Sequence, residues 1–485
     1  MIDKLFNMAQ VTLDEIFNPR GVAIVGASPG NEFTFAAWVV AALKEAGFPG
    51  IYPVNPKYNE AFGLPCYPSV SSIPGVVDHV VVCIPAEKSL ELLDDCARKG
   101  VKSVHFFTAG FSESGQKERA ELERAMLQKA RAGGFRIIGP NCVGLFVPRA
   151  KLTNVTRMPL EPGPVAFISQ SGGHALDMPL HAGSRGLRFS KVVSYGNALD
   201  IDECELLEYF LGDPETKIIA AYIEGVRDGK RFRSILEKTA KKKPVVMYKG
   251  GVTDAGLRAA LSHTASMTSS VKVFQALCHQ LNTVQVNDIQ EMIDVLVALN
   301  FSPPYPVGRG IVVVGVGGGP SVQASDQIEA AGLDLPQLSK GVQKELSKFL
   351  LIAGAIFANP LDATNLIFPD VIYKTMKVLG EVPEIHILMY HMGFHPVSRW
   401  GGGLFSNDFF LKPAVEALHK AKTETGKPVI IVLGQASDMV GTEEQLKVQE
   451  AFVRGGLPVF HSLEKAATGM ARVEAWHRRF AVSDI

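Results

Sequence analysis

The sequence predicts an α/β protein that is built from three open, mostly parallel β-sheets. Short β-branched runs alternate with amphipathic helical patterns along all 485 residues, and this alternation implies right-handed βαβ crossovers. Proline-rich seams at residues 158–164 and 302–306 interrupt the pattern, because clustered prolines disfavour both helices and central strands. We therefore expect three Rossmann- or flavodoxin-like domains, at residues 1–150, 160–301 and 306–485.

In the first predicted domain, a strand at residues 21–25 leads into a turn of glycine, alanine and serine. An amphipathic helical pattern follows from Phe35 to Ala46. Four more strands are predicted at residues 50–54, 79–84, 103–107 and 136–138, with helices at residues 89–99 and 115–132.

The second and third predicted domains repeat this order of strand, turn and helix. Their strands are predicted at residues 164–168, 189–194, 217–223 and 244–249, and then at 310–315, 385–390, 428–433 and 458–460. A helix at residues 463–479 follows the last strand. Ligands of such open sheets gather beyond the carboxyl ends of the strands, where helix N-termini offer free N–H groups.

The composition argues against several classes of partner. Lys+Arg and Asp+Glu both total 49, so no global basic field is available to hold nucleic acid or an anionic membrane. The six cysteines lack metal-ligand spacing and suit a reducing cytosol. The N-terminus does not resemble a signal peptide, and no apolar run is long enough to span a bilayer. We expect a cytoplasmic protein without a metal site of its own.

The turn at residues 26–30 (GASPG) follows a strand and precedes a helix, which is the context of nucleotide or pyrophosphate binding. It contains no GxGxxG motif, and the second strand leads into Asn55, Pro56 and Lys57 rather than an acidic residue. A nicotinamide dinucleotide is therefore disfavoured, and with it an oxidoreductase. Another phosphate-bearing nucleotide ligand is favoured, with Lys57 available to a phosphate. A tight turn that requires only small residues is the alternative.

A second turn combines two serine hydroxyls with two glycines at the start of a helix. This combination predicts an anion-binding site at Ser169, Ser171, Gly172 and Gly173. The serines lack the glycine spacing of a nucleophile elbow, so serine nucleophily is not expected. His174, just beyond, is expected to be structural.

A third turn, residues 315–321 (GVGGGPS), again joins a strand to a helix. It lacks the GK[ST] ending of a P-loop, so autonomous ATP hydrolysis is not indicated. Gly318 and Gly319 are expected to bind an anion at the start of this helix.

His263 lies in a run of small residues between a predicted strand and a helical pattern that begins at Val271. A histidine on such a loop can expose a ring nitrogen and accept a phosphoryl group, and a structural role is the alternative. Glu224 follows the strand at residues 217–223. If Glu224 faces His263, its carboxylate would orient the imidazole for phosphoryl transfer. An exposed carboxylate at the strand end is the alternative there.

Taken in order, these segments resemble the NDP-forming (ADP-forming) acyl-CoA synthetases, which are relatives of succinyl-CoA synthetase. The resemblance covers nearly the whole chain, and its specificity comes from several segments in the correct order. The segments are residues 21–28, 52–56 and 82–85 in the first domain, 139–144, 169–172, 194–197, 222–225 and 262–264 in the second, and 318–320 and 359–362 in the third.

The resemblance implies that coenzyme A binds to the first domain, with its pyrophosphate at the turn that contains Gly26 and Ser28. The pantetheine arm would pass a second set of strand-end residues, namely Asn55, Pro56, Lys57, Ile84, Pro85, Thr108 and Gly110. It also implies that His263 carries phosphate between acyl phosphate and ADP, with Glu224 holding the reactive tautomer. The two helix starts described above would stabilise the transferred phosphate.

The family divides its chemistry between this type of chain and an ATP-grasp module. The chain ends at Ile485, soon after the third domain, so it resembles the α-type subunit. The resemblance implies a hetero-oligomer with an ATP-grasp β-type subunit that binds ATP or ADP with Mg²⁺, and a small carboxylic acid as substrate. Ala265 and Met267 depart from the family's pattern. They favour the alternative of a CoA-binding regulatory or scaffold protein that has lost catalysis.

Overall fold

The computed structural model describes residues 11–30, 32–258, 270–315, 317–351, 355–393 and 408–483. Within them lie three main β-sheets whose strands are largely parallel and alternate with helices, which confirms the predicted α/β class. The chain divides into two compact units, which are Met1–Gly183 with Arg188–Ile289, and Ser184–Leu187 with Gln290–Ile485. Two of the sheets lie in the first unit and one in the second. The three predicted domain boundaries stay predictions.

The first seven strands are β1 (Val22–Val25), β2 (Ile51–Val54), β3 (Glu60–Ala61), β4 (Leu64–Pro65), β5 (His79–Val82), β6 (Ser103–Phe106) and β7 (Arg136–Ile138). β3 and β4 form an antiparallel ribbon, and the other five form a parallel sheet in the order β2-β1-β5-β6-β7. Val22 pairs with Ile51 on one side and with His79 on the other. β1 and β5 are rich in valine and buried, as is typical of parallel strands that helices cover on both faces.

The second sheet contains β8 (Leu145–Phe146), β9 (Pro162–Ser169), β10 (Phe189–Ser194), β11 (Ile218–Ile223), β12 (Val245–Lys249) and β13 (Val284–Val286). Their order is β13-β12-β11-β9-β10-β8, and only β8 runs antiparallel to its neighbour. One apolar cluster contains side chains from this sheet and from the first, including Ile24 and Ile168. The two sheets share a core and therefore belong to one compact unit.

The third sheet contains β14 (Ile311–Val314), β15 (Ile356–Phe357), β16 (Leu361–Asp362), β17 (Ile387–Met392), β18 (Val429–Leu433) and β19 (Val459–Phe460). Their order is β15-β16-β14-β17-β18-β19, with β15 antiparallel to β16. A separate apolar cluster around Val312, Leu388 and Ile431 forms the core of this second unit.

Helices connect the strands on both sides of the sheets. Up to residue 280 they are Leu13–Phe17, Phe35–Ala46, Ser89–Lys99, Lys117–Gly133, Gly172–Ser184, Glu203–Gly212, Gly229–Ala240 and Val271–Gln280. The later helices are Ile289–Phe301, Gly318–Ala330, Lys340–Leu346, Pro369–Gly380, Asp408–Thr425, Met439–Arg454 and Leu463–Ser483. Thr34, Asp202 and Asp438 each accept a backbone N–H at a helix start, and such caps fix where a helix begins.

All six cysteines are free thiols. Five of them are buried, namely Cys66, Cys96, Cys142, Cys204 and Cys278. Burial raises the pKa of Cys278 to about 11 and that of Cys83 to about 12. The helices of the described residues fall short of what a membrane span requires in length or in apolar character. Among the described side chains, no group of three or more His, Cys, Asp or Glu could hold a metal ion.

Two buried histidines link the stability of the first sheet to pH. His79 Nδ1 lies 2.8 Å from Ser103 Oγ, and His105 Nε2 lies 2.9 Å from the carbonyl oxygen of Cys142. Burial lowers the pKa of His79 to about 3 and that of His105 to about 4. Both rings therefore stay neutral in the folded protein at pH values where an unfolded chain is already protonated.

We expect the free energy of unfolding to fall as the pH drops below the ordinary histidine value of 6.5. In that range the unfolded chain binds more protons than the folded one, and each histidine contributes a slope of up to ~1.4 kcal/mol per pH unit. The stability associated with the two neutral rings is fully present above pH 6.5, and it is lost as the pH falls toward about 4 for His105 and about 3 for His79. Denaturant titrations at several pH values give the free energy of unfolding at each pH. For His105→Gln this free energy should depend less steeply on pH than it does for the wild type. His279→Gln, at an exposed histidine of the same unit, should keep the wild-type slope. An unchanged slope in the His105 variant would contradict the linkage.

Candidate functional site

The three predicted turns occupy equivalent places in their sheets. β1, β9 and β14 each lie between two parallel neighbours, and the chain builds the sheet outward from them in both directions. Each turn therefore follows the strand at which the strand order reverses. Ligands of open α/β sheets bind at such switch points, in the crevice beyond the carboxyl ends of the strands.

The turn after β1 is held in shape by Gly26 and Asn55. Gly26 has a φ of 99°, and a Cβ atom there would lie 2.9 Å from the carbonyl oxygen of Cys83, so the position requires glycine. Asn55 Nδ2 donates hydrogen bonds to the carbonyl oxygen of Ala27 at 2.9 Å and to Ser28 Oγ at 3.1 Å. The backbone of Cys83 and the side chain of Ile84 occupy the space that a Cβ atom would fill at Gly26, and the amide of Asn55 braces the turn from the neighbouring strand.

The other predicted residues of the first sheet lie at the same carboxyl edge. Residues 56–57 follow β2 and are exposed, and residues 84–85 follow β5. Thr108 follows β6, and its Oγ1 donates a hydrogen bond to the carbonyl oxygen of Ile84 at 2.7 Å. Gly110 has a φ of 96° and donates its N–H to Glu113 Oε1 at 2.6 Å. The structure therefore brings the predicted set to one edge of one sheet.

An aromatic group beside this edge was not found by sequence reasoning. Phe33, Trp38 and Phe107 are 90%, 48% and 37% exposed, which is unusual for large aromatic side chains. The ring of Phe107 stacks on Phe35 with 3.6 Å between ring centroids. A cavity of about 460 Å³ next to the turn is lined in part by Phe33. The closely spaced aromatic residues of the segment 33–38 (FTFAAW) are the signal that could have indicated this surface.

At the second switch point, Ser169 and Ser171 have different roles. Ser169 is completely buried, and its hydroxyl donates to the carbonyl oxygen of Ser171 at 2.7 Å and accepts the N–H of Ser171 at 3.1 Å. Ser171 Oγ accepts the N–H of His174 at 3.4 Å and so caps the helix Gly172–Ser184. Ser169 therefore shapes the turn from inside. Ser171, Gly172 and Gly173 form the side of the turn that is partly or fully exposed.

Glu224 lies at the carboxyl end of β11 and is only 7% exposed. The alternative of an exposed carboxylate at the strand end is therefore wrong. Tyr222 Oη donates a hydrogen bond to Glu224 Oε1 at 3.0 Å. Glu224 Oε2 is buried and accepts no hydrogen bond from the residues that the structure describes. A buried carboxylate oxygen with open acceptor capacity can receive an N–H from an imidazole or a ligand.

Two side chains that sequence reasoning missed hold the backbone around Glu224. Gln170 Oε1 accepts the N–H groups of Glu224 and Gly225, the latter at 3.0 Å. Lys249 is almost completely buried, and its Nζ donates to the carbonyl oxygens of Glu224 at 2.7 Å and Gly250 at 2.5 Å. Burial lowers the pKa of Lys249. Both residues stand at the ends of strands that flank β11, which is the signal that could have found them.

His174 contributes to an aromatic wall next to this carboxylate. Its ring centroid lies 4.5 Å from that of Tyr222, with the rings nearly perpendicular, and Tyr248 lies 5.0 Å from Tyr222. Burial lowers the pKa of His174, which favours the neutral ring. These are the contacts of a packed side chain.

At the third switch point, backbone conformation shapes the start of the helix Gly318–Ala330. Gly315 has a φ of 93°, and a Cβ atom there would lie 2.7 Å from the carbonyl oxygen of His391. Gly317 directly precedes the helix with a φ of 82°, and no described side chain caps this end. The N–H groups of Gly318 and Gly319 at this uncapped start are donors suited to an anion.

His263 lies outside the described residues, as do Ala265 and Met267, so the placement of the predicted phosphate carrier stays a prediction. The described part of the first unit brings two groups of predicted residues to carboxyl edges of its sheets. One is the group around Gly26 on the first sheet, and the other is the group around Glu224 on the second.

Family models match two regions of the chain. Residues 162–299 match a succinyl-CoA ligase like flavodoxin domain, and residues 20–178 match a CoA binding domain. The first match covers β9 to β13 and the turn before the helix Gly172–Ser184. The second covers the whole of the first sheet and reaches into the second.

Several curated proteins are similar to the chain over most of its length. The alpha subunit of an ADP-forming acetate–CoA ligase II from Pyrococcus furiosus is 35% identical, with 94% of this chain and 96% of that protein covered. The alpha subunit of an ADP-forming acetate–CoA ligase I from the same organism is 32% identical, with 96% and 98% covered. An ADP-forming acetate–CoA ligase II from Archaeoglobus fulgidus is 32% identical, with 98% of this chain and 68% of that protein covered.

A solved structure is also similar along the whole chain. It is that of a dinucleotide forming acetyl-coenzyme A synthetase 1 from Ca. Korarchaeum cryptofilum in complex with phosphate and ADP. The TM-score is 0.80 at 30% identity, with 98% of this chain and 99% of that chain covered.

Proposed function

This chain belongs to the ADP-forming acyl-CoA synthetases as an alpha-type subunit, and from this we propose how its own residues divide the reaction. Acid, coenzyme A and ATP are interconverted with acyl-CoA, ADP and phosphate through acyl phosphate and a phosphohistidine at His263. The observation that carries this proposal is the buried carboxylate of Glu224. Among the described residues, only one of its two oxygens accepts a hydrogen bond. The alternative of an inactive scaffold is not favoured, because the relatives are named as ligases.

Coenzyme A would bind at the carboxyl edge of the first sheet. The turn at Gly26 has a backbone conformation that favours glycine and follows the strand at the switch point, where a pyrophosphate would meet backbone N–H groups. Ser28 and Asn55 offer polar atoms there, and the exposed Lys57 can reach a phosphate. The pantetheine arm would pass Pro56, residues 84–85, Thr108 and Gly110, which lie along the same edge.

The second sheet would carry the phosphoryl group. In the direction of synthesis a ring nitrogen of His263 attacks the γ-phosphorus of ATP, an N–P bond forms, and ADP leaves. The substrate carboxylate then attacks this phosphorus and frees the imidazole, giving acyl phosphate. The thiol of coenzyme A attacks the acyl carbon, and phosphate leaves. Glu224 Oε2 would accept the N–H of the other ring nitrogen and keep the attacking nitrogen unprotonated.

Charge on the transferred phosphate would be stabilised by backbone donors. The N-terminus of the helix Gly172–Ser184 carries a partial positive charge. Ser171, Gly172 and Gly173 lie at this end, directly after β9. Gly318 and Gly319 offer a second helix start of the same kind. Ser169 would support the first of these turns without touching phosphate, because its hydroxyl is bonded within the turn.

The nucleotide and Mg²⁺ would bind on a partner ATP-grasp β-type subunit, in a hetero-oligomer. The alpha-subunit names of two relatives support a partner chain. The acid is a small carboxylic acid, and acetate is the acid in the names of those relatives. Six free thiols further support a reducing compartment, the cytoplasm.

The proposal is tested by phosphorylation. The chain, its ATP-grasp partner, Mg²⁺ and ATP labelled at the γ-phosphate should give protein-bound phosphate that is labile in acid and stable in base. His263→Ala should abolish this label, and His279→Ala, at an exposed histidine of the same unit, should keep it. A label that survives in His263→Ala would overturn the assignment.

A further inference from the structure

Asn197 lies in the turn after β10 and is 4% exposed. Its Nδ2 donates one hydrogen bond to Glu113 Oε2 at 2.6 Å and another to Glu123 Oε1 at 2.9 Å. A side-chain amide nitrogen carries two hydrogens, and both are donated to carboxylates. These carboxylates belong to the connection between β6 and β7 of the first sheet. Hydrogen bonds to charged acceptors are among the stronger ones in proteins.

The first of these carboxylates shapes the segment that we assign to coenzyme A. Glu113 Oε1 accepts the N–H of Gly110 at 2.6 Å and that of Phe111 at 3.1 Å. Gly110 has a φ of 96°. Glycine adopts positive and negative φ values about equally readily, so a contact is needed to select this conformation. The position of Gly110 therefore depends on Glu113, and the orientation of Glu113 depends on Asn197.

The other side of the same turn contacts the segment that carries Glu224. Arg227 donates hydrogen bonds from its guanidinium to the carbonyl oxygens of Asn197 at 2.5 Å and Ala198 at 2.9 Å. Arg227 follows Glu224 by three residues in the loop after β11. The turn of Asn197 is thus hydrogen-bonded both to Glu113, which accepts the N–H of Gly110, and to Arg227, in the loop that follows Glu224.

We propose that Asn197 is a positioning residue for coenzyme A, which acts by fixing Glu113 and through it the backbone at Gly110. The inference rests on the proposed function and adds a residue that contacts neither the cofactor nor the phosphate. Its loss should weaken coenzyme A binding more than it slows phosphoryl transfer, because the cap on Gly110 and Phe111 is released while Glu224 keeps its own contacts.

The test uses Asn197→Asp, which has the same shape but places a third carboxylate against Glu113 and Glu123. In the complex with the ATP-grasp partner, the KM for coenzyme A should rise about tenfold, because the hydrogen bond that orients Glu113 is lost, and kcat should stay within about twofold. Glu113→Gln is a milder second variant that should raise the same KM even if the first does not fold.

Asp200→Asn is the matched control. Asp200 accepts hydrogen bonds from Arg136 Nε at 2.8 Å and from the N–H of Ile137 at 2.9 Å, so its carboxylate links the segment after β10 to the first sheet at β7 rather than at Glu113. Its variant should lose thermal stability and keep the wild-type KM. An unchanged KM in both Asn197→Asp and Glu113→Gln, or an equal rise in Asp200→Asn, would overturn the inference. Failure of the wild-type chain to bind coenzyme A in calorimetry would instead overturn the proposed function.

Discussion

Replacing Glu224 with glutamine should slow phosphorylation of the protein by about 10²- to 10⁴-fold, the range that a positioned acid–base group contributes. The glutamine amide oxygen can still accept the hydroxyl of Tyr222, now 3.0 Å from Oε1, so the strand end should keep its structure. At the position of Oε2 it would present an NH₂ group instead of an acceptor. An imidazole N–H that faces this group would lose its hydrogen bond, and the reactive tautomer would no longer be selected.

The measurement is the single-turnover rate of γ-phosphate transfer from ATP in the presence of the partner subunit. Glu215→Gln is the matched control, because Glu215 precedes the opposite end of β11 and pairs with Lys191 at 3.1 Å. The control should phosphorylate at the wild-type rate. A Glu224→Gln protein that phosphorylates within a few-fold of wild type would remove Glu224 from the mechanism.

Replacing Arg185 with methionine should destabilise the second unit by about 3–5 kcal/mol, the usual cost of breaking a buried ion pair from one side. Arg185 Nη1 lies 2.8 Å from Asp294 Oδ1, and both side chains are at most 4% exposed. Two further guanidinium hydrogens bond the carbonyl oxygen of Val459 at the start of β19. Methionine fills a similar volume but leaves the carboxylate of Asp294 buried without this cation.

Urea denaturation, with hydrogen exchange of the β19 amides as a local probe, measures this effect. Arg188→Met is the control, because it removes an arginine three residues away in sequence whose ion pair is more exposed. Arg188 pairs with Glu161, whose side chain is 77% exposed, so its variant should change stability by no more than about 1 kcal/mol. Equal losses in the two variants would mean that burial of the pair does not set its contribution.

The central strands of all three sheets could be predicted from sequence because they are continuous apolar runs. The predicted strand at residues 21–25 is β1, Val22–Val25, and that at 189–194 is β10. β7 and β19 are equally short and were predicted, but the strands β3, β4, β8, β13, β15 and β16, of two or three residues each, were missed. Such short strands are defined by the neighbour they pair with, which is distant in sequence, rather than by a local pattern.

The candidate site was predictable as a set of strand-end turns, but not in its internal contacts. A serine at a glycine-rich turn gives the same sequence pattern whether its hydroxyl points outward or inward, and the hydroxyl of Ser169 is bonded within the turn. Burial of Glu224 depends on Tyr222, Gln170 and the packing of the neighbouring strands. The bond from Asn197 to Glu113 joins residues 84 positions apart, and no local pattern encodes it.

The burial of the cysteines has a consequence for which thiol receives the acyl group. An acyl phosphate reacts with any accessible thiolate, so protein thiols compete with the cofactor for it. Cys83, at the strand end next to Gly26, has a pKa raised to about 12, and the other five thiols are buried. At neutral pH these side chains are almost entirely in the unreactive thiol form. The fold thereby keeps the protein's own thiols poorly reactive toward an acyl phosphate.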